Sequence, residues 1–175
     1  MRGIRPLLLL LTVSAVALAG PAAGSRATAT RQARLDGSLL VQMNALRARH
    51  GLRPLRLSMP LNAAAEDHSL EMARDGYFEH ESADGTAFWK RVERYYPAAG
   101  YRSWVVGENL VWQSPDLSAP EAMKLWMASA PHRANLLDRD WREVGISALR
   151  VESGSGPFQG MTATLVTVDF GARTK

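Results

Sequence analysis

Cysteine is absent from all 175 residues of this chain. Its absence excludes a disulfide scaffold, a thiol nucleophile and lipid attachment of the bacterial type, which needs a cysteine. Hydrophobic residues make up 46% and charged residues 22% of the sequence, an ordinary globular composition that argues against a disordered or collagen-like chain. The length predicts one domain with little room for a second.

Clustered positive charge is missing as well. The 21 Lys and Arg residues outnumber the 17 Asp and Glu residues, for a net charge of +4. Several of the arginines precede the first acidic residue, Asp36, and the remaining basic residues are interspersed with acidic ones. Proteins that bind nucleic acid concentrate basic residues in a patch. We therefore expect no nucleic-acid partner.

Long apolar runs are limited to one, near the start of the chain. Residues 7–19 are almost entirely apolar, follow Arg2 and Arg5, and precede small residues that end at Gly24. This is the pattern of a signal peptide over residues 1–24. The run is shorter than the ~20 residues that span a bilayer, so we expect export, cleavage and no stable membrane span. An uncleaved anchor is the alternative. The predicted location is secreted, periplasmic or at the cell envelope.

Apolar periodicity predicts the elements of the domain. Residues 25–34 lack periodic apolar residues and are predicted to be a linker or a frayed terminus. Further helices are expected over residues 59–76 and 86–95 and from residue 119. A short apolar segment is expected over 105–112, interrupted by Gly107-Glu108-Asn109. A single helical turn is expected over 131–137, and strands over 144–151 and 161–170. A first helix is expected from one apolar stripe: Leu35, Leu39, Met43 and Leu46. Helices followed by strands indicate the α+β class.

Most common catalytic motifs are also absent. The chain has no His-Glu-x-x-His zinc-protease motif, no Gly-x-Ser-x-Gly elbow and no glycine-rich nucleotide loop. Asp67, His68 and Ser69 are triad residue types, but neighbours on a helix point in different directions. We expect His68 to be hydrogen-bonded in or near the core.

Four residues in four separate segments are the candidates for chemistry: His80, Glu108, Glu121 and His132. Most of them lie in predicted loops or at a helix start, where functional groups tend to occur. Each also has an ordinary structural interpretation. Glu121 can be the capping-box partner of Ser118, Glu108 can stabilise a tight turn, and the two histidines can lie in solvated loops.

The order and spacing of several short strings identify a family resemblance. The strings are residues 39–51, Ala64-Ala65-Glu66-Asp67-His68-Ser69, residues 78–82, Gly107-Glu108-Asn109-Leu110, residues 121–126, residues 129–137, Val144-Gly145-Ile146 and Val168-Asp169-Phe170-Gly171. With them the chain resembles the CAP superfamily of cysteine-rich secretory, antigen 5 and pathogenesis-related 1 proteins, and most closely its bacterial secreted branch. The resemblance places the domain at residues 35–173.

The resemblance implies a three-layer α-β-α sandwich with a central cavity. It assigns the family's cavity tetrad to His80, Glu108, Glu121 and His132. In some members such a tetrad binds a divalent metal, and two imidazoles with two carboxylates suit zinc. Without metal, the carboxylates would raise the imidazole pKa values. With metal and an open coordination position, the same group could activate water.

Two functions are compatible with the resemblance. The first is a secreted binding module for a small apolar ligand, a metal or an envelope component. The alternative is a metal-dependent hydrolase or peptidase that uses the same tetrad. No dedicated nucleophile or base–nucleophile pair is visible, which favours binding. The family's Gly-His-Phe-Thr signature is replaced by Pro131-His132-Arg133-Ala134-Asn135, and eukaryotic roles that depend on the Cys-rich extension are not carried over.

Overall fold

The computed structural model of the chain describes residues 27–175. The predicted signal peptide, residues 1–24, lies outside the described residues. The helices are α1 (Ala33–Arg49), α2 (Met59–Asp75), α3 (Phe88–Tyr95), α4 (Ala119–Ala128) and α5 (Ala130–Leu137). The strands are β1 (Thr28–Arg31), β2 (Arg56–Leu57), β3 (Ser103–Gln113), β4 (Glu143–Glu152) and β5 (Ala163–Thr174). None of the described helices has the length and apolar character needed to cross a membrane.

One sheet forms the middle layer, with the strand order β1-β4-β5-β3. These neighbours are antiparallel, and β2 pairs in parallel with β4. Successive side chains of a strand point to opposite faces. Val166 and Val168 of β5 accordingly pack with α1 and α4, whereas Leu165 packs with Met72 of α2 on the other face. The two helical layers confirm the predicted α-β-α sandwich.

The first helix follows the predicted apolar stripe. Leu39 and Met43 are fully buried, and α1 packs against β4 and α4. The linker predicted over residues 25–34 is wrong for its described part. Residues 28–31 form β1, which pairs with the edge of β4, and the helix begins at Ala33. Most side chains of β1 are exposed, so its pairing uses the main chain and leaves no apolar pattern in the sequence.

Helix α2 rests directly on the sheet at Gly145. A Cβ atom at this position would lie only 2.1 Å from the carbonyl carbon of Leu61 and 2.3 Å from the nitrogen of Asn62. The Asn62 side chain also accepts a hydrogen bond of 3.1 Å from the Ile146 N–H. The close approach fixes the height of α2 above β4, and with it every side chain that α2 presents.

Strand β3 is longer and more regular than predicted. Its eleven residues pair with β5 without interruption, through the Gly107-Glu108-Asn109 segment that the sequence suggested would break it. Gly107 is required because a Cβ there would lie 2.8 Å from the ring of Trp141. Glu108 and Asn109 are buried, with hydrogen-bonded side chains. The segment 131–137 likewise belongs to a longer helix, α5, rather than to a single turn.

Candidate functional site

A cleft of about 430 Å³ opens beside β3. It lies between the loop that follows α2, the beginning of α3, the edge of β3 and the first turn of α5. Three of the four predicted site residues line it, namely His80, Glu108 and His132. Its apolar wall includes Phe88, Val106 and Pro131.

His80 and Glu108 form a hydrogen-bonded pair. The Nδ1 atom of His80 lies 2.7 Å from Oε1 of Glu108. The carboxylate is buried, whereas 44% of the imidazole side chain is exposed. The hydrogen bond to Glu108 raises the pKa of His80, with the Glu108 charge adding to it and burial opposing it. His80 therefore keeps its proton to a higher pH than a free imidazole does.

Arg91 of α3 is the second partner of Glu108. Its guanidinium is fully buried and donates to Oε2 of Glu108. It also donates to the His80 carbonyl at 3.0 Å and contacts the Ser82 hydroxyl at 3.4 Å. Arg91 thus fixes both the carboxylate and the backbone that carries the imidazole. We did not predict it from the sequence, although its spacing of three from Phe88 places it on the same helix face.

Asp169 lies opposite Glu108 on the neighbouring strand β5. Its side chain is fully buried, and no donor among residues 27–175 hydrogen-bonds to its carboxylate oxygens. Burial and, next, the charge of Glu108 raise the pKa of Asp169 well above its usual range. We did not predict Asp169 as a site residue, because its role depends on a cross-strand pairing with a residue 61 positions earlier.

His132 reaches the cleft from the first turn of α5. Two asparagines tie this turn to β3. Asn109 Nδ2 donates to the His132 carbonyl at 3.0 Å, and Asn135 Nδ2 donates to the Glu108 carbonyl at 3.0 Å and to Asn109 Oδ1 at 2.9 Å. Burial and, to a lesser extent, the nearby charge of His80 lower the pKa of His132. The cleft therefore contains two imidazoles whose pKa values are shifted in opposite directions.

His68 supports the cleft from beneath. It is fully buried on α2, with Nε2 at 2.9 Å from the Glu79 carbonyl and Nδ1 at 3.4 Å from the Tyr77 hydroxyl. Burial lowers its pKa. The prediction of a hydrogen-bonded core histidine is confirmed. The contact with Glu79 holds the backbone one residue before His80, so His68 positions the imidazole of the cleft.

Glu121 does not line the cleft. Its Oε2 atom accepts hydrogen bonds from the Ser118 N–H at 2.8 Å and from the Ser118 hydroxyl at 2.6 Å, at the start of α4. These bonds lower the pKa of this exposed carboxyl. The prediction that four residues converge is corrected to three, because the side chain of Glu121 is committed to the helix cap.

The described donors do not form a metal-binding set as they lie. Among residues 27–175, no three His, Cys, Asp or Glu side chains are grouped so that they could hold an ion. Both carboxylate oxygens of Glu108 are engaged, by His80 and by Arg91. Zinc sites in proteins use three or four such ligands. Zinc binding stays a prediction that needs a measurement.

Comparison with known sequences identifies relatives along most of the domain. Residues 40–170 match the family described as "CAP: Cysteine-rich secretory protein family". The protein YkwD of Bacillus subtilis (strain 168) is 30% identical over 112 residues, which are 64% of this chain and 40% of that protein. The membrane protein YlbC of the same organism is 29% identical over 115 residues, 66% of this chain and 32% of that protein. The chain thus spans less than half the length of these relatives.

Two solved structures share the fold. An extracellular protein containing an SCP domain from Bacillus anthracis str. Ames superposes with a TM-score of 0.62 and 24% identity, over 82% of this chain and 41% of that one. An outer surface protein from Borrelia burgdorferi superposes with a TM-score of 0.67 and 17% identity, over 84% of this chain and all of that one.

Proposed function

This chain belongs to the CAP family of cysteine-rich secretory proteins, and we propose that it is a secreted or envelope-associated binding module. The two solved neighbours are described as an extracellular and an outer-surface protein. The pattern of residues 1–24 is that of an export signal. Both observations support a location outside the cytoplasm.

The cleft at His80, Glu108 and His132 is the proposed binding site. Its volume of about 430 Å³ is in the range that small ligands occupy in proteins. Phe88, Val106 and Pro131 supply apolar surface, as in most such sites, and a few polar groups fix orientation.

The meeting of His80, Glu108 and His132 in one cleft with an apolar wall is the observation that carries the proposal, and the opposite pKa shifts of the two histidines support it. His80 has a raised pKa, so it offers a hydrogen-bond donor and a partial positive charge. His132 has a lowered pKa, so its neutral ring offers an acceptor. A ligand with an apolar body and a polar end that both accepts and donates would satisfy the cleft. The small apolar ligand or envelope component expected from the sequence would therefore carry such a polar end.

The same pair of imidazoles favours one second candidate, a hydrolase. Two titratable groups whose pKa values are pushed apart in one cleft are typical of acid–base pairs. Neutral His132 would take a proton from an attacking water molecule, and protonated His80 would give one to the leaving group. The lining residues include no Ser, Thr or Cys, so water is the nucleophile that this chemistry would use.

A comparison of three variants tests the proposal. We would screen a fragment library against the purified protein by following the imidazole NMR signals of His80 and His132, and measure bound metal and peptide-library hydrolysis in parallel. Binding should be lost in His80→Ala and His132→Ala and retained in Glu121→Gln, the matched control outside the cleft. Turnover, with or without metal, that disappears in both histidine variants would support the hydrolase instead. If no fragment moves either imidazole signal, the binding function is contradicted.

A further inference from the structure

The outer edge of β3 carries a further inference about what enters the cleft. Resting on the proposed binding function, we infer that the ligand is an extended polypeptide segment, bound as an added strand along Trp104, Val105 and Val106.

The sheet register fixes the direction of each main-chain group in β3. In an antiparallel sheet, a residue that exchanges hydrogen bonds with one neighbouring strand turns away from the other. The Gln32 N–H donates to the Ala148 carbonyl at 2.8 Å, so even-numbered residues of β4 face β1 and odd-numbered residues face β5. The odd-numbered residues of β4 are paired with odd-numbered residues of β5, so the even-numbered residues of β5 face β3. These even-numbered residues of β5 are paired with odd-numbered residues of β3, which therefore face β5. The even-numbered residues of β3 therefore turn their N–H and C=O groups outward.

Side chains from α4 and α5 hydrogen-bond to some of these outward main-chain groups of β3. Asn135 Nδ2 donates to the Glu108 carbonyl at 3.0 Å, and Trp126 Nε1 donates to the Leu110 carbonyl at 3.0 Å. Both acceptors are even-numbered, which agrees with the register. The cover ends at Glu108. In the described part of the chain, the outward main-chain groups of Trp104 and Val106 have no hydrogen-bond partner.

The uncovered segment also lacks the usual protection of an edge strand. Proteins guard such edges with charged residues, proline, bulges or very short strands. Trp104, Val105 and Val106 are uncharged residue types that favour strands, the pairing with β5 is unbroken, and Val105 is 46% exposed. Adding a strand to an exposed edge is a common mode of peptide recognition.

The position of the edge favours one extended chain over a second copy of this protein. Val106 and Gly107 line the same cleft as the two histidines, and Phe88 and Pro131 also line it, from α3 and α5. A second copy would bring its own walls, which would keep two recessed edges apart. A single extended segment can lie in the cleft, pair with Trp104 and Val106, and place one side chain beside His80.

Hydrogen exchange in the free protein provides the first test. The amides of Trp104 and Val106 should exchange rapidly, whereas those of Val105 and Gly107, which face β5, should be protected. Equal protection of all four amides at low protein concentration would overturn the assigned direction of the edge.

Binding of peptides provides the second test. Random octapeptides displayed on phage would be selected on the immobilised protein, and the recovered sequences synthesised with blocked ends. Bound peptide should slow exchange at Trp104 and Val106. Val106→Pro removes the outward N–H and replaces the side chain at that position, a change that edge strands tolerate, and it should weaken binding about tenfold or more. Val106→Ala keeps the N–H and should lose less of the affinity for the peptide. N-methylation of the peptide should weaken binding when the methyl group is placed on alternate residues, whose N–H groups face β3, and should have little effect on the residues between them.

The possible outcomes separate this inference from the proposed function. No peptide enriched over the Val106→Pro protein, or bound peptide that leaves both amides unprotected, overturns the inference. Protection that rises with protein concentration alone identifies a second copy as the occupant and also overturns it. A small compound that shifts the His80 and His132 signals without protecting the edge would contradict the peptide inference and leave the binding module intact.

Discussion

The imidazole of His80 and the guanidinium of Arg91 are held by opposite oxygens of one carboxylate. Glu108 Oε1 lies 2.7 Å from His80 Nδ1, and Oε2 accepts from the buried Arg91. The half-buried histidine is therefore connected to the core through a charged side chain that solvent does not reach.

Glu108→Gln should lower the pKa of His80. The hydrogen bond to Glu108 is the largest cause of the raised pKa, and the carboxylate charge adds to it. The measurement is an NMR titration of the His80 imidazole in the folded variant. Glu121→Gln is the control and should leave the pKa unchanged, because Glu121 lies outside the cleft. An unchanged His80 pKa in Glu108→Gln would contradict the pairing.

Arg91→Met should destabilise the protein strongly. The substitution removes the buried counter-ion of Glu108, and breaking a buried ion pair in this way costs about 3–5 kcal/mol. Urea unfolding measures the loss. Arg150→Met is the matched control, since Arg150 makes ion pairs with Asp116 and Glu152 at the surface, where such pairs contribute little. Equal losses in the two variants would argue against a buried pair.

Ligand binding should have a maximum in pH. The pKa of His132 lies below 6.5 and that of His80 above 6.5. As pH falls below the His132 pKa, this imidazole gains a proton and ceases to accept. As pH rises past the His80 pKa, that imidazole loses its charge. Affinity should therefore fall on both sides of the maximum. In His132→Gln, whose side chain does not titrate, the fall at low pH should disappear and the fall at high pH should remain.

Asp169→Asn should change how stability depends on pH. The folded-state pKa of Asp169 is raised, so wild-type stability is lost as pH rises from about 3.8 through the folded pKa. Asparagine does not titrate, so the free energy of unfolding of the variant should rise relative to that of the wild type as pH rises over that interval. Urea unfolding at a series of pH values measures the difference. Glu121→Gln should show the opposite sign, because the pKa of Glu121 is lowered.

The sequence predicted most elements because their apolar patterns are local. The stripe that includes Leu39 and Met43 became α1, and the alternating pattern of residues 144–151 became most of β4. Strand β1 was missed because it is stabilised through its main chain at an edge. The break predicted in β3 was wrong because the glycine at position 107 makes room for the ring of Trp141, which is distant in sequence, and does not form a local turn.

The site was predictable in part. His80, Glu108 and His132 were found through the family resemblance, and the structure places them in one cleft. The fourth, Glu121, had a local interpretation as a helix cap that the structure bears out. Arg91 and Asp169 were missed, because a buried arginine on a polar-looking helix and a carboxyl on a regular strand acquire roles only when distant segments meet.

The missing side chain at Gly145 affects the cleft from the opposite end of α2. A methyl group there would act as a spacer under Leu61 and Asn62 and lift α2 from the sheet. Because α2 carries His68, the lift would release the Glu79 carbonyl and the backbone that presents His80. A substitution that adds no charge and touches no ligand would then disable binding. Random mutagenesis for loss of binding should therefore recover position 145 alongside the histidines.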